Sequence, residues 1–161
     1  MADDGNIQAV AALIYGASLP DTPTDVMVRI GSTPYNRAAA SKQHREFGTT
    51  VQEALYKPDA YYEFSGGNKK VEALRNGKIL DEDTYKRALS VAYALENGTI
   101  EKSKDQFFHT PNERARQTKA KSFNYSLVDI NANVKNGAKG KGNDSWDFMS
   151  YKEPKKKVVK K

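Results

Sequence analysis

The sequence predicts an α+β fold, mainly helical, with a small antiparallel β element late in the chain. Three observations carry that expectation. Apolar residues recur at helical spacing through much of the first hundred positions. Good cap residues precede those runs, and Gly or Pro follows them. After the clearest helix come three short aromatic-rich segments, "DQFFHT", "SFNYSLVD" and "WDFMSY", which read as strands. No internal repeat is visible.

Taken in order, Asn6 is placed to cap a first helix whose apolar residues are Ile7, Val10, Leu13 and Ile14, with Gly16 at its end. The turn "LPDTPTD" follows. Thr22 is expected to cap a second helix, with Pro23 at its first position and Asp25 in its first turn. That helix carries Val26, Met27 and Ile30, then meets Gly31 and Pro34, where a break or kink is expected before "YNRAAASK". Thr50 and Glu53 form a candidate capping box for "TTVQEALYKP", which stops at Pro58. The stretch "YYEFSGGNKK" reads as loop. In "DEDTYKRALSVAYALENG" acidic residues crowd the start, Tyr85, Ala88, Leu89, Ala92 and Leu95 make one face, and Gly98 ends the helix.

Composition narrows the function. The chain has 161 residues and no cysteine, which removes thiolate chemistry and disulfides. Its two histidines, His44 and His109, have no partner at metal-ligand spacing, so neither a metal nor another cofactor is expected. No apolar run approaches the ~18 residues of a membrane span. The start "MADDGNIQ" lacks the basic and apolar regions of a signal peptide. Residues 1–134 hold 17 basic and 17 acidic side chains, whereas 135–161 hold nine and three, which accounts for the whole net charge of +6. The expected division is a domain over 1–151 and a basic flexible tail over 152–161. Such a tail is either a solvated segment or a tether to an anionic polymer. "KKKVVKK" has no interleaved aromatics, which speaks against specific nucleic-acid binding.

The order of these pieces resembles the SleB-like cell-wall hydrolase family, the spore-cortex-lytic enzyme type. The counterparts are Tyr15–Gly16 for the family's "YGE" turn, Asn36–Arg37 for its "NR" pair, and "VQEALYKP" for its short helix. Phe64–Ser65 match its "FS" loop, Asn97–Gly98 the end of its long helix, "FFHTPN" its "FYNP" strand and "WDFMSY" its closing aromatic strand. The resemblance covers about residues 6–151. It departs in a longer loop after Gly16, in "KQHREFGT", in His109 where the family tends to have Asn, and above all in Ala17, which stands where the family has its catalytic glutamate.

That resemblance implies a lysozyme-like fold and cleavage of peptidoglycan glycan strands by one glutamate, as a muramidase or a lytic transglycosylase. A carboxylic acid in a partly apolar cleft can protonate the leaving glycosidic oxygen, and in a transglycosylase the same group then acts as base. Position 17 is the implied catalytic site, with Tyr15, Ser18, Tyr62, Phe64, Ser65, His109 and Asn112 as implied substrate-binding residues. Loss of general acid–base help costs ~100- to 10,000-fold, so the chain with Ala17 is expected to be nearly inactive. Three accounts stand: replacement of a native glutamate by alanine, which is favoured; a pseudoenzyme that still binds glycan; or takeover by Glu46, Glu53 or Glu63. For these last three the plain alternatives are a helix cap at Glu53 and solvated loop charges at Glu46 and Glu63.

Plain alternatives stand beside the other site residues too. Tyr61 and Tyr62 are either sugar platforms or semi-buried tyrosines, Phe64 and Ser65 either line a cleft or fold over the core, and Trp146 reads as core. Asn36 and Arg37 read as braces of the second helix. The partners expected are peptidoglycan strands, anionic envelope polymers through the lysines and phage virion proteins, without specific nucleic acid, for a monomer. The expected source is a bacteriophage or a Gram-negative bacterium, and the expected setting a phage endolysin or virion lysin, made in the host cytoplasm and acting in the periplasm or at the cell wall. The alternative is a non-catalytic phage virion, structural or glycan-binding protein that keeps the fold.

Overall fold

Helix α1, Asp4–Ala17, is the axis of the molecule. Ala9, Val10 and Ala11 are buried in succession, and Leu13, Ile14, Tyr15 and Ala17 continue the run. A helix that is apolar all round must be surrounded, and α1 packs against α5, α2, α4 and α3. The computed structural model describes residues 3–40, 48–56, 61, 68–105, 107–109, 127–135 and 145–151, with side chains described for 3–40, 48–56, 61, 68–105 and 108.

The cap of α1 lies one turn earlier than expected. Asp3 is the N-cap, accepting from the Asn6 backbone N–H at 3.1 Å. Asn6 instead reaches sideways: its Nδ2 donates to both carboxylate oxygens of Glu96 at 3.3 Å, and its Oδ1 accepts from Gln52 at 3.1 Å.

Helix α2, Thr24–Ala39, runs through Gly31 and Pro34 without the expected break. Pro34 has no N–H for the carbonyl of Ile30, the usual reason a proline costs ~3 kcal/mol inside a helix. The hydroxyl of Thr33 donates to that carbonyl at 2.9 Å and supplies the missing bond. Gly31 serves close approach. A Cβ there would stand 2.7 Å from Leu95 Cδ1 and 2.8 Å from Ile14 Cδ1, so α1, α2 and α5 meet over a bare backbone.

Helix α3, Val51–Tyr56, begins as its capping box requires. Thr50 Oγ1 accepts from the Glu53 N–H at 3.1 Å, and Glu53 Oε2 accepts from the Thr49 N–H at 2.9 Å. Helix α4, Lys69–Arg75, was not anticipated, and its first residues lie in a stretch read as loop. Asn68 caps it by accepting from the Val71 N–H at 3.1 Å. Helix α5, Glu82–Asn97, starts at Asp81, which accepts from Thr84 N at 3.1 Å, and ends at Gly98 with φ 75°. Of its expected face, Ala88, Ala92 and Leu95 are buried, while Tyr85 and Leu89 are partly buried.

The expected α+β class is corrected by this arrangement. Of the residues with described side chains, 68% are helical and 1% strand, and no sheet lies among them. The physical reason is that α1 is enclosed by α2, α3, α4 and α5, so the described core is helix packed on helix. The strand backbones β1, Phe107–His109, β2, Leu127–Lys135, and β3, Ser145–Tyr151, pair antiparallel in the order β1-β3-β2. Phe108, the strand residue whose side chain is described, lies in the core with its ring 6.0 Å from that of Tyr61.

The chain between α5 and β1 is strapped to the polar side of α2. Arg29 grips Asp105 with two bonds of 2.8 Å. Asn36 donates to the carbonyls of Ser103 and Asp105 at 2.7 and 2.6 Å, and Ser32 Oγ accepts from the Ser103 N–H at 3.1 Å.

Candidate functional site

A helix leaves its last carbonyls without partners in its own ladder, and three at the C-terminal end of α1 have described donors. Each finds a donor. Tyr15 O accepts from the Ser18 N–H at 3.4 Å, Gly16 O from Asn68 Nδ2 at 2.9 Å, and Ser18 O from the amine of Lys70. Asn68 therefore works twice, capping α4 through its oxygen and closing α1 through its amide nitrogen. A cation at a helix C-terminus also suits the negative end of the helix dipole.

The turn beyond is closed on itself. The Leu19 N–H donates to Thr22 Oγ1 at 2.7 Å, and the Thr22 N–H to the Leu19 carbonyl at 3.0 Å. Thr22 thus closes this turn, while Pro23 takes the N-cap place of α2 that had been expected of Thr22. From α5, Arg87 donates to the Thr22 carbonyl at 2.6 Å and to the Pro20 carbonyl at 3.3 Å. Residue 17 is thereby held on the last turn of a buried helix, braced from α4 and α5.

Electrostatics mark the same place. Lys70 is half-buried, 5.0 Å above the ring of Tyr15, and loss of water pulls its amine below the ordinary lysine value while Asp81 pulls the other way. Asp81 is held below the usual carboxylate range, chiefly by the hydroxyl and backbone N–H of Thr84. Ser18 is 1% exposed, and its hydroxyl oxygen has no hydrogen-bond partner. Buried hydroxyls are normally satisfied, and this one is an exception among the described residues.

The implied site residues fall out as follows. Ala17 and Ser18 sit together on this end of α1, 7% and 1% exposed. Tyr15 is fully buried, with its hydroxyl accepting from the Asp81 N–H at 3.1 Å and its ring edge-on to Tyr85 at 5.4 Å, which makes it a core residue that props the turn. His109 ends β1, with only its backbone described. Tyr62, Phe64, Ser65 and Asn112 lie outside the described residues, as do Glu46, Glu63 and the tail 152–161. Glu53 is engaged in the cap of α3. Tyr61 is in the core, with its hydroxyl 2.9 Å from Thr33 Oγ1 and the Arg37 guanidinium 4.3 Å from its ring centre.

Sequence reasoning missed Asn68, Lys70 and Arg87. Asn68 ahead of "KKVEALR" carried a readable signal, an N-cap before a short helix. Lys70 and Arg87 had none, since each acts on a carbonyl more than fifty residues away.

As the chain stands, this end of α1 offers no proton donor at residue 17. Among the described residues no group of three His, Cys, Asp or Glu side chains could hold a metal ion, and no helix is long and apolar enough to cross a membrane. No family model, curated protein or solved structure matches the chain.

Proposed function

We propose that this chain carries a peptidoglycan glycan-strand-cleaving domain of the SleB-like type, a muramidase or lytic transglycosylase whose acid position is residue 17, here occupied by alanine. The observation that carries the reading is the setting of that residue. It ends a helix buried along most of its length, is 7% exposed itself, and precedes a turn tied down by Asn68, Lys70 and Arg87. A carboxyl group there would be largely stripped of water, which raises its pKa and keeps it protonated for delivery to a leaving oxygen. With Ala17 that proton donor is missing, and the chain is a near-inactive form.

A second reading follows from Ala17 itself: a non-catalytic glycan-binding or virion protein that keeps the fold. In either case the ligand class is the glycan strand, and the lysine-rich segment 152–161 acts as a tether to an anionic envelope polymer. The setting that suits both is a phage lysin or virion component acting at the cell wall.

The test is Ala17→Glu, assayed on purified sacculi with mass spectrometry of the released fragments. Fragment release by the variant and none by the parent chain supports the enzyme. A variant that keeps the parent's circular dichroism yet releases nothing removes the enzyme reading. Sedimentation of the parent chain with sacculi under the same conditions then supports the binding protein.

A further inference from the structure

We propose that the loop from α4 to α5 is a self-association surface, a two-fold contact in which Ile79 and Leu80 meet the same residues of a second copy of this chain. Five large apolar side chains are exposed among the described residues, and three of them, Leu19, Ile79 and Leu80, lie towards the C-terminal end of α1. Leu19 follows Ser18, whose carbonyl accepts from Lys70, and Leu80 precedes Asp81, whose N–H donates to the Tyr15 hydroxyl. Single exposed apolar residues are ordinary, but adjacent ones at 40% and 60% exposure mark a contact surface. This contact does not depend on the chemistry at residue 17.

The loop presents this pair on a fixed backbone. Helix α4 ends in a Schellman-type turn, with the Gly77 N–H donating to the Leu74 carbonyl at 3.0 Å and the Lys78 N–H to the Ala73 carbonyl at 2.8 Å. Such a turn commonly tucks an apolar residue back onto its helix at the second place past the cap. Here that place belongs to Lys78, and the apolar pair comes directly after it, exposed. From the other side the Tyr15 hydroxyl ties down the Asp81 N–H at 3.1 Å. A loop held at both ends loses little freedom on binding.

Charge names the occupant. Lys78 precedes the apolar pair, and Glu82 and Asp83 follow it on the first turn of α5. All three are exposed, and their side chains make no hydrogen bond or ion pair among the described residues. A two-fold axis through the apolar pair makes this basic, apolar, acidic order self-complementary, because Lys78 of each copy then faces Glu82 and Asp83 of the other. An anionic lipid surface would meet the two carboxylates as well as the lysine, so the pattern disfavours it. The patch is a few side chains wide, far below the area of a permanent dimer, which makes the association weak and reversible.

The experiment is sedimentation of the full chain over a concentration series at low salt, with NMR shifts followed in the same series. The expected result is reversible dimer formation, with concentration-dependent shifts centred on residues 78–83. Leu80→Asp should weaken it at least about tenfold. Lys78→Glu, and separately the double change Glu82→Lys with Asp83→Lys, should each weaken it several-fold with unchanged circular dichroism, because like charges then face each other. Mixing those two variants should restore association between them, since every facing pair is again of opposite sign. A chain that stays monomeric at millimolar concentration overturns the proposal. So does dimer formation that survives Leu80→Asp, or charge variants that fail to rescue one another. Shifts at residues 79–80 with phosphatidylglycerol vesicles but not with concentration overturn it too, and make a lipid surface the occupant.

Discussion

The two ends of α1 are built to opposite standards. At its start, Glu96 accepts from the Asp3 N–H at 3.4 Å, from Asn6 Nδ2 at 3.3 Å and from the Tyr35 hydroxyl, and Gln52 closes the ring through Asn6 Oδ1 at 3.1 Å. Burial first, then the bond to Glu96, pushes the Tyr35 hydroxyl far above its ordinary range, so it stays a donor at any working pH. Lys102 lies 4.7 Å from that ring and donates to the Leu95 carbonyl at 2.9 Å. Donors and acceptors in this cluster answer one another. At the other end the backbone is equally well held and Lys70 is engaged, but the buried hydroxyl of Ser18 has no hydrogen-bond partner. One end is a closed network of side chains, and the other keeps one buried hydroxyl outside its network.

Substitutions should reproduce that contrast, beginning with the largest effect. Glu96→Ala removes the common acceptor of three donors and leaves the Tyr35 hydroxyl part-buried without its partner. A loss of about 3 kcal/mol in urea unfolding is expected; a loss below about 1 kcal/mol would mean that the network is ornamental.

Ala17→Glu comes next, with a cost of about 2 kcal/mol at neutral pH for burying a carboxyl group. The sign with pH is definite. A buried carboxyl has a folded pKa above the unfolded value of about 4.3. The folded state then binds more protons across the window between the two, so stability is fully present below pH ~4.3 and falls as pH rises through the folded pKa. Melts of the variant and the parent from pH 4 to pH 8 should diverge upward in pH; parallel curves would place residue 17 in water.

Lys70→Met tests the opposite sign. The folded amine sits below 10.5, so the unfolded chain binds that proton more strongly and the Lys70 contribution to stability rises with pH across the window up to 10.5. The methionine variant should lose this rise, so its advantage over the parent, or its deficit, shifts against it between pH 7 and pH 10. Ser18→Ala should do least. Removing a hydroxyl that bonds to nothing leaves stability within about 0.5 kcal/mol of the parent or slightly raises it. A loss above about 1 kcal/mol would show that the hydroxyl has a partner and that the two ends of α1 are alike.

Much of the helical body was legible in the sequence, element by element. The Asp81 and Gly98 ends of α5 and the Thr50–Glu53 box were readable because caps act over three or four residues. The α2 break was misread because its two repairs are invisible along the chain. Gly31 answers the side chains of Ile14 and Leu95, and the Thr33 hydroxyl replaces a bond that the sequence rules count as lost. The class was misread for a similar reason. Aromatic segments after residue 105 looked like a layer for the core, but the described core is helix packed on helix around α1, with Phe108 the strand side chain described in it. Position 17 was singled out through a resemblance, while Lys70 and Arg87, which brace the turn after it, carried no signal in the sequence.

The sequence by itself determined the local facts of this protein: where most helices cap and stop, that α1 is apolar enough to be enclosed, and that residue 17 carries no acid. These follow from interactions within a turn or two of chain. Only the tertiary structure decided that α2 continues through Pro34, that Asn68 of the α4 cap closes α1, and that a lysine from residue 70 meets the carbonyl of residue 18. Those depend on which surfaces meet across fifty or more residues. No local propensity records that, because the free energy that selects it comes from enclosing α1 as a whole.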